Sequence, residues 1–161
     1  MNFQTDRLKV ENWTPHLRDE VRRSALETRL SEILTPAVLR HLPPTLQRHN
    51  AEPIHAWVQA REDEAEIHLI ETRADENVIG LLILAHRGGT PPDIHIGYLF
   101  AEEAWGHGYA TELVVGLVQA TPAPARLLAG VEANNPASAR VLEKAGFSRN
   151  ADDGLYTMLL Y

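Results

Sequence analysis

The stretch AEEAWGHGYATEL, residues 101–113, decides how the rest of this sequence is interpreted. Gly106 and Gly108 stand one residue apart, behind an apolar run and ahead of residues with helical spacing. Glycine has no Cβ, so the chain can turn there with positive φ and its N–H groups can approach a ligand closely. A helix that begins here leaves its first amides unpaired and carries partial positive charge, which favours a phosphate or pyrophosphate. The stretch therefore predicts either an anion site or a tight strand-to-helix turn with nothing bound.

Two well-known phosphate motifs do not match this loop. A P-loop requires Lys and then Ser or Thr after its last glycine, whereas Tyr109 and Ala110 follow Gly108. A dinucleotide fingerprint has Gly or Ala three residues after its second glycine, where Thr111 stands, and it belongs to an early strand–helix–strand unit. Both motifs are disfavoured.

A second motif, NNPASARVLEKAGF, follows at residues 134–147. Asn135 suits the N-cap of a helix with Pro136 in its first position, and Gly146 suits the left-handed residue after the helix end. Capping needs one asparagine, so it does not explain the Asn134–Asn135 pair directly after a predicted strand.

From about residue 94 to 147 the sequence resembles the GNAT superfamily of acyl-CoA N-acyltransferases. The stretch EEAWGHGYATEL is similar to the family's coenzyme A loop, Q/R-x-x-G-x-G/A, and NNPASARVLEKAGF is similar to its following helix. The opening TDRLKV resembles the first strand of the branch that contains ribosomal-protein N-terminal acetyltransferases. Two positions depart from the family pattern: Glu103 replaces the usual Gln or Arg, and Leu142 replaces the Tyr that protonates the leaving thiolate in many members.

Periodicity predicts the element order along the chain. The first helix is expected to begin at Pro15 behind Thr14, with Leu17, Val21 and Leu26 pointing inward. Alternation predicts strands, and helical spacing predicts the further helices, over the ranges that follow: strands 7–13, 66–72, 78–87, 94–100 and 127–133, two short terminal strands around residues 151–154, and helices 35–42, 53–63, 110–120 and 136–146.

This order predicts a single domain over residues 1–161, of the α+β class. The strand–helix–strand pattern of the second half requires at least one parallel pairing. The resemblance implies the GNAT fold, with a central mixed, mostly antiparallel sheet of about seven strands and helices on both faces. It also implies a splayed parallel pair, formed by IHIGYLF and LLAGVEA (94–100 and 127–133).

Composition excludes several classes of function. Lys and Arg number 15 against 22 Asp and Glu, a formal net charge of −7 without any basic cluster, so nucleic acid is not expected as a partner. Cysteine is absent, which excludes disulfides and a cysteine nucleophile. The eight histidines include no H-x-x-x-H pair, so no metal is expected. The sequence has neither a secretory signal nor a membrane-length apolar run, and a cytoplasmic protein without a membrane partner is expected.

The resemblance implies where coenzyme A binds. The pantetheine arm would lie between the splayed strands and pair with backbone groups near Leu99 and Phe100, and the pyrophosphate would lie on the amides of the glycine loop. Asn135 and Ser138 would lie on the other side of the arm. The predicted cofactor-binding residues are therefore Leu99, Phe100, Trp105, Gly106, His107, Gly108, Tyr109, Ala110, Thr111, Asn135 and Ser138.

The reaction implied is direct transfer from acetyl-CoA to an amine in a ternary complex, which needs a base for the ammonium proton. Glu103 is the predicted base, and His95, Asp93 and Glu132 are alternatives. The predicted acid for the thiolate is Ser138, one helical turn before Leu142, and Tyr156 in the terminal strand is a further candidate. Trp105 is predicted to line the acceptor entrance.

The function expected from the resemblance is N-acetylation of a primary amine, carried by a small molecule or by a protein N-terminus. Acetyl-CoA is the expected co-substrate, and homodimers are common in the family. One alternative is a domain that senses acyl-CoA without turnover, since the family Tyr is replaced. Another is a nucleotide-binding domain.

Overall fold

A computed structural model describes residues 1–49 and 51–161, and its centre is a mixed β-sheet. In this part of the chain the sheet has eight strands: β1 (Phe3–Gln4), β2 (Leu8–Asn12), β3 (Glu66–Thr72), β4 (Val78–Arg87), β5 (Asp93–Phe100), β6 (Ala125–Ala129), β7 (Ser148–Arg149) and β8 (Tyr156–Leu160). Their spatial order is β1-β2-β3-β4-β5-β6-β8-β7, and β5 with β6 is the parallel pair. The predicted mixed, mostly antiparallel sheet is confirmed, with the two-residue β1 as the unpredicted strand.

The helices of the described residues are α1 (Thr14–Leu17), α2 (Glu20–Ile33), α3 (Pro36–Leu39), α4 (Ile54–Glu64), α5 (Tyr109–Ala120) and α6 (Pro136–Lys144). Short 3₁₀ turns cover Pro44–Leu46 and Glu102–Ala104. No helix within residues 1–49 and 51–161 has both the length and the apolar character needed to cross a membrane.

The predicted first helix is in fact two helices. The side chain of Asp19 accepts a hydrogen bond from the Arg22 N–H and starts α2 anew, so the helical period does not run on from Pro15. Leu26 is buried as predicted, but the prediction that Val21 points inward is wrong, because its side chain is 80% exposed. Because the Asp19 cap starts a second helix, the residues that face the core differ from those expected for one continuous helix.

Helices cover both faces of the sheet, as predicted. Residues of α5 and α6 pack on one face in a core that includes Leu8, Val10, Leu82, Phe100, Leu113, Leu117 and Leu142. Residues of α2, α3 and α4 pack on the opposite face with Leu69, Leu81, Leu99, Leu30, Val38 and Trp57. Alternate residues of β5 thus contribute to different cores, because successive strand side chains point to opposite faces.

Strands β5 and β6 separate soon after they begin. Their register consists of three pairs, Asp93 with Arg126, Ile94 with Leu127, and His95 with Leu128. Arg126 donates two hydrogen bonds to the Asp93 carboxylate, at 2.8 and 2.7 Å, where the strands are still joined. Strand β6 ends at Ala129, so residues 130–133, which were predicted as strand, lie beyond the sheet. The splayed parallel pair is confirmed, and its strand ends diverge.

Candidate active site

A cavity of about 820 Å³ opens where β5 and β6 diverge. One side is formed by residues 96–100 of β5, and the other by residues 129–132, at and beyond the end of β6. One end is lined by the glycine loop and the start of α5, and the opposite end by residues between 37 and 46, from α3 onward. Because α5 and α3 pack on opposite faces of the sheet, the cavity joins the two faces through the gap between the strands.

The edge of β5 that faces this gap has free backbone groups. The Ala101 N–H donates to the Ile79 carbonyl at 2.8 Å, and in an antiparallel pair every second residue points toward the same neighbour. Leu99 therefore directs its backbone groups to β4, while Tyr98 and Phe100 direct theirs to the gap. The Phe100 carbonyl is already used there, because it accepts a hydrogen bond from the Trp105 Nε1 at 2.9 Å. The backbone contacts to the cofactor arm were predicted near Leu99 and Phe100; Leu99 lines the cavity, but its own backbone groups face β4.

The glycine loop has the geometry that its sequence predicts. Gly106 and Gly108 have φ angles of 77° and 78°, a region that costs other L-residues roughly 1–2 kcal/mol. Both glycines line the cavity, and apart from Gly106 and its two chain neighbours no described residue has an atom within 4 Å of where a Cβ of Gly106 would stand. Gly108 precedes α5, whose first helical bond runs from the Glu112 N–H to the Gly108 carbonyl at 3.1 Å. The amides of residues 109–111 therefore lack helical acceptors.

Arg7, which was predicted only as the start of the first strand and not as a site residue, braces this loop. Its Nη1 donates to the His107 carbonyl at 2.8 Å, its Nε donates to Glu112 Oε2 at 2.7 Å, and its guanidinium lies 4.4 Å from the centre of the Tyr109 ring. Although burial works against it, hydrogen bonds from Thr5 and Arg7 hold the pKa of Glu112 below its usual value. The carboxylate in the first turn of α5 is thereby paired, so it does not oppose an anion at the helix start.

Ser138 lies at the cavity together with a tyrosine that the sequence did not single out. The hydroxyls of Ser138 and Tyr98 are 2.8 Å apart, and both residues line the cavity. Asn135 caps α6, as predicted, by accepting a hydrogen bond from the Ser138 N–H at 3.3 Å. Burial raises the pKa of the Tyr98 hydroxyl, so this group holds its proton. The two hydroxyls form a protonated pair inside the cavity.

Leu142 and Tyr156 offer no hydroxyl there. Leu142 is 1% exposed within the core of the α5–α6 face, so it contributes packing at the position of the family tyrosine. The Tyr156 hydroxyl donates to Glu143 at 3.2 Å, and Tyr156 is not among the lining residues.

Of the four predicted base candidates, Glu132 alone lines the cavity. Glu103 lies outside the lining, with its carboxylate 2.6 Å from Arg29, and the hydrogen bond from Arg29 lowers the pKa of the Glu103 carboxyl. Asp93 is bound by Arg126 at the joined end of β5 and β6. His95 lies in the same paired segment, with an exposed side chain. The role of Glu103 as base stays a prediction.

The predicted cofactor residues converge on one place, with one exception. Leu99, Phe100, Trp105, Gly106, Gly108, Tyr109, Ala110, Thr111, Asn135 and Ser138 all line the cavity. His107 does not, although its carbonyl is the acceptor that Arg7 uses to hold the loop. Within the described residues, no group of three His, Asp or Glu side chains is arranged to hold a metal ion.

Solved structures with the same fold come from several bacteria. An acetyltransferase of the GNAT family from Bacillus anthracis has a TM-score of 0.75 at 16% identity, over 99% of this chain and 98% of that one. A ribosomal L7/L12 alpha-N-protein acetyltransferase in complex with coenzyme A has a TM-score of 0.71 at 16% identity, over 99% and 98%. The ribosomal-protein-S5-alanine acetyltransferase of Vibrio fischeri has a TM-score of 0.64 at 16% identity, over 99% and 96%.

Sequence comparison agrees with the fold. No curated protein sequence matches this chain significantly. The family model of the acetyltransferase (GNAT) domain, however, matches residues 7–148, which include the glycine loop, Ser138 and most of the sheet. The resemblance inferred from the two motifs is confirmed: this chain belongs to the GNAT acetyltransferase family.

Proposed function

We propose that this protein is an N-acetyltransferase that transfers the acetyl group of acetyl-CoA to a primary amine. One observation carries the proposal: a single cavity passes through the gap between β5 and β6, with the glycine loop at one end and an apolar wall at the other. Such a passage lets two substrates meet from opposite faces of the sheet, and proximity of this kind supplies much of the rate in direct transfer.

The glycine-loop end suits coenzyme A. The free amides at the start of α5 and the positive end of its dipole suit the pyrophosphate, and the paired Glu112 leaves that end without an opposing charge. The backbone groups of Tyr98 and the Phe100 N–H at the open edge of β5 suit the amides of the pantetheine arm, which would add to the strand as an extended peptide does. The coenzyme A complex of the similarly folded ribosomal L7/L12 acetyltransferase supports this assignment.

The chemistry follows from the groups around the gap. A neutral amine nitrogen attacks the thioester carbonyl, whose oxygen accepts a hydrogen bond from a free β5 amide as negative charge develops. The C–N bond forms, the C–S bond breaks, and the departing thiolate takes the proton of the Ser138 hydroxyl. Tyr98, 2.8 Å away, returns a proton to Ser138, and solvent restores the tyrosine. Glu103, the predicted base, faces Arg29 and would receive the amine proton only through water.

Calorimetry and a thiol-release assay test the proposal. Coenzyme A should bind to the purified protein, whereas ATP and NAD should bind weakly or not at all. Acetyl-CoA should release free thiol when an acceptor amine is present. Binding of ATP or NAD without binding of coenzyme A would contradict the proposal, and tight acetyl-CoA binding with no turnover across a broad amine panel would favour a sensor.

A further inference from the structure

The end of the cavity opposite the glycine loop is an apolar wall, here called the acceptor wall: Ala37, Val38, His41, Leu42, Pro43 and Leu46. It belongs to the face covered by α2, α3 and α4, because Val38 and Leu46 are buried in the core of that face and Leu42 packs against it. Since the coenzyme would enter from the α5 face, this wall is left for the acceptor.

The acceptor wall is held in shape before any ligand arrives. The side-chain amide of Gln47 donates to the carbonyls of Leu39 and Leu42, at 2.7 and 2.8 Å. The Trp57 Nε1 donates to the Leu46 carbonyl at 3.2 Å from a fully buried indole. The acceptor wall is therefore a preformed surface of the cavity.

The acceptor end of the cavity has almost no charged side chains. Glu132 is the carboxylate that lines the described cavity, and it lies beyond β6, in a different segment from the acceptor wall. The described residues of the wall contribute no Asp, Glu, Lys or Arg. A second positive charge on the acceptor would have no counterion at the wall, and an isolated charge is costly to desolvate. An apolar group would gain from burial in the same place.

His41 is the polar side chain of the wall. Its Nδ1 is buried and makes no hydrogen bond to any described residue, so a ligand in the open cavity can meet the ring nitrogens only at Nε2. A neutral imidazole has one donor and one acceptor nitrogen, so Nε2 can accept a hydrogen bond when the proton lies on Nδ1. Among side chains, imidazole is also the usual proton acceptor near neutral pH.

On the basis of the proposed function, we propose that the acceptor is a primary amine with an uncharged apolar group close to its nitrogen. The apolar group packs on the acceptor wall, and His41 accepts a hydrogen bond from the amine nitrogen at Nε2. As the C–N bond forms and the C–S bond breaks, the nitrogen loses its proton to His41, which passes it to solvent. The amine belongs either to a small molecule or to a peptide N-terminus with an apolar first residue.

Acceptor competition tests this class. With acetyl-CoA saturating, kcat/KM for leucinamide and phenethylamine should exceed kcat/KM for glycinamide and putrescine by about tenfold or more. A hexapeptide that begins with Leu, compared with leucinamide, tells the two sources apart. Equal or higher kcat/KM for putrescine or glycinamide would overturn the class. If no amine is acetylated the proposed function fails, and calorimetric binding of phenethylamine against putrescine to the CoA-saturated protein then decides the acceptor class alone.

Variants of the wall separate packing from proton transfer. Leu42→Asp should reduce the preference for leucinamide over putrescine about tenfold, while the uncharged Leu42→Asn should not favour putrescine. His41→Gln should lower kcat about 100-fold with coenzyme A affinity unchanged. His55→Gln is the control, because His55 lies outside the cavity and contacts Glu27. Full kcat in His41→Gln would overturn the role of the histidine, and an unaltered preference in Leu42→Asp would overturn the role of the wall.

Discussion

The two ends of the cavity are formed by different chemical groups, backbone at one end and side chains at the other. The glycine-loop end consists of backbone: two glycines with positive φ, the free amides of α5 and a carbonyl held by Arg7. The acceptor wall consists of side chains that also pack in the core behind them. Backbone recognition requires specific residues at fixed spacing, whereas an apolar wall accepts many residues. The glycine-loop end can therefore be identified in the sequence as a motif, whereas the acceptor wall has the sequence of an ordinary core segment.

The largest effect is expected where the two ends meet. Ser138→Ala should lower kcat about 100-fold because it removes the hydroxyl proposed to protonate the thiolate. The α6 cap should survive, since Asn135 accepts from the backbone N–H of residue 138. Steady-state kinetics with a separate calorimetric Kd for coenzyme A provides the measurement.

Tyr98→Phe is the matched variant for this pair. It keeps the ring beside Phe100, whose centroid is 6.2 Å away, and removes only the hydroxyl. A smaller loss of kcat than in Ser138→Ala is expected, because Tyr98 acts through the serine. Wild-type kcat in Ser138→Ala would leave the pair with a structural role only.

The next largest effect is expected on coenzyme A binding at the glycine-loop end. Gly106→Asp places a carboxylate in open space at the cavity, where repulsion of the pyrophosphate by about 1–2 kcal/mol should weaken coenzyme A binding about tenfold or more. Gly106→Asn has nearly the same shape and tolerates positive φ as well, so it controls for the backbone. Equal coenzyme A affinities of the two variants would remove the pyrophosphate from this loop.

A smaller loss is expected from the brace behind the loop. Arg7→Ala removes the donor to the His107 carbonyl and leaves Glu112 uncompensated near the helix start, so coenzyme A binding should weaken about fivefold. Lys9→Ala is the control, because Lys9 pairs with Glu11 on the same strand and lies outside the cavity. Isothermal titration of both variants with coenzyme A compares them, and matched losses would mean that general charge, and not the brace, is responsible.

The smallest effect is expected at Glu103. Its carboxylate is paired with Arg29, and the hydrogen bond from Arg29 lowers the pKa of the carboxyl, which weakens it as a base at neutral pH. Glu103→Gln should therefore change kcat less than about threefold. A loss of about 100-fold would instead support the sequence-based assignment of Glu103 as the base.

Sequence patterns predicted most of the sheet and the glycine loop, because alternation and fixed glycine spacing are local signals. Val21 was misplaced because Asp19 starts a new helix inside one apparent period. Backbone contacts to the cofactor arm were assigned near Leu99 and Phe100, but the backbone of Leu99 faces β4 and that of its neighbours in β5 faces the gap. Which residues face the gap depends on the register of β5 with β4, which a sequence pattern does not give. Arg7 and Tyr98 were missed since their partners lie far away in sequence, at His107, Glu112 and Ser138. Nothing in the sequence distinguishes the residues of the acceptor wall from core residues.

The short seam between β5 and β6 has a consequence for the whole molecule. Three register pairs join the block β1–β5 to the block β6–β8, and past His95 the hydrogen-bonded ladder between them stops. A coenzyme arm in the gap would replace the missing rungs and act as a removable strand. Because a ligand that binds only the folded state stabilises it in proportion to RT ln(1 + [L]/Kd), the cohesion of the two blocks would then follow the supply of coenzyme.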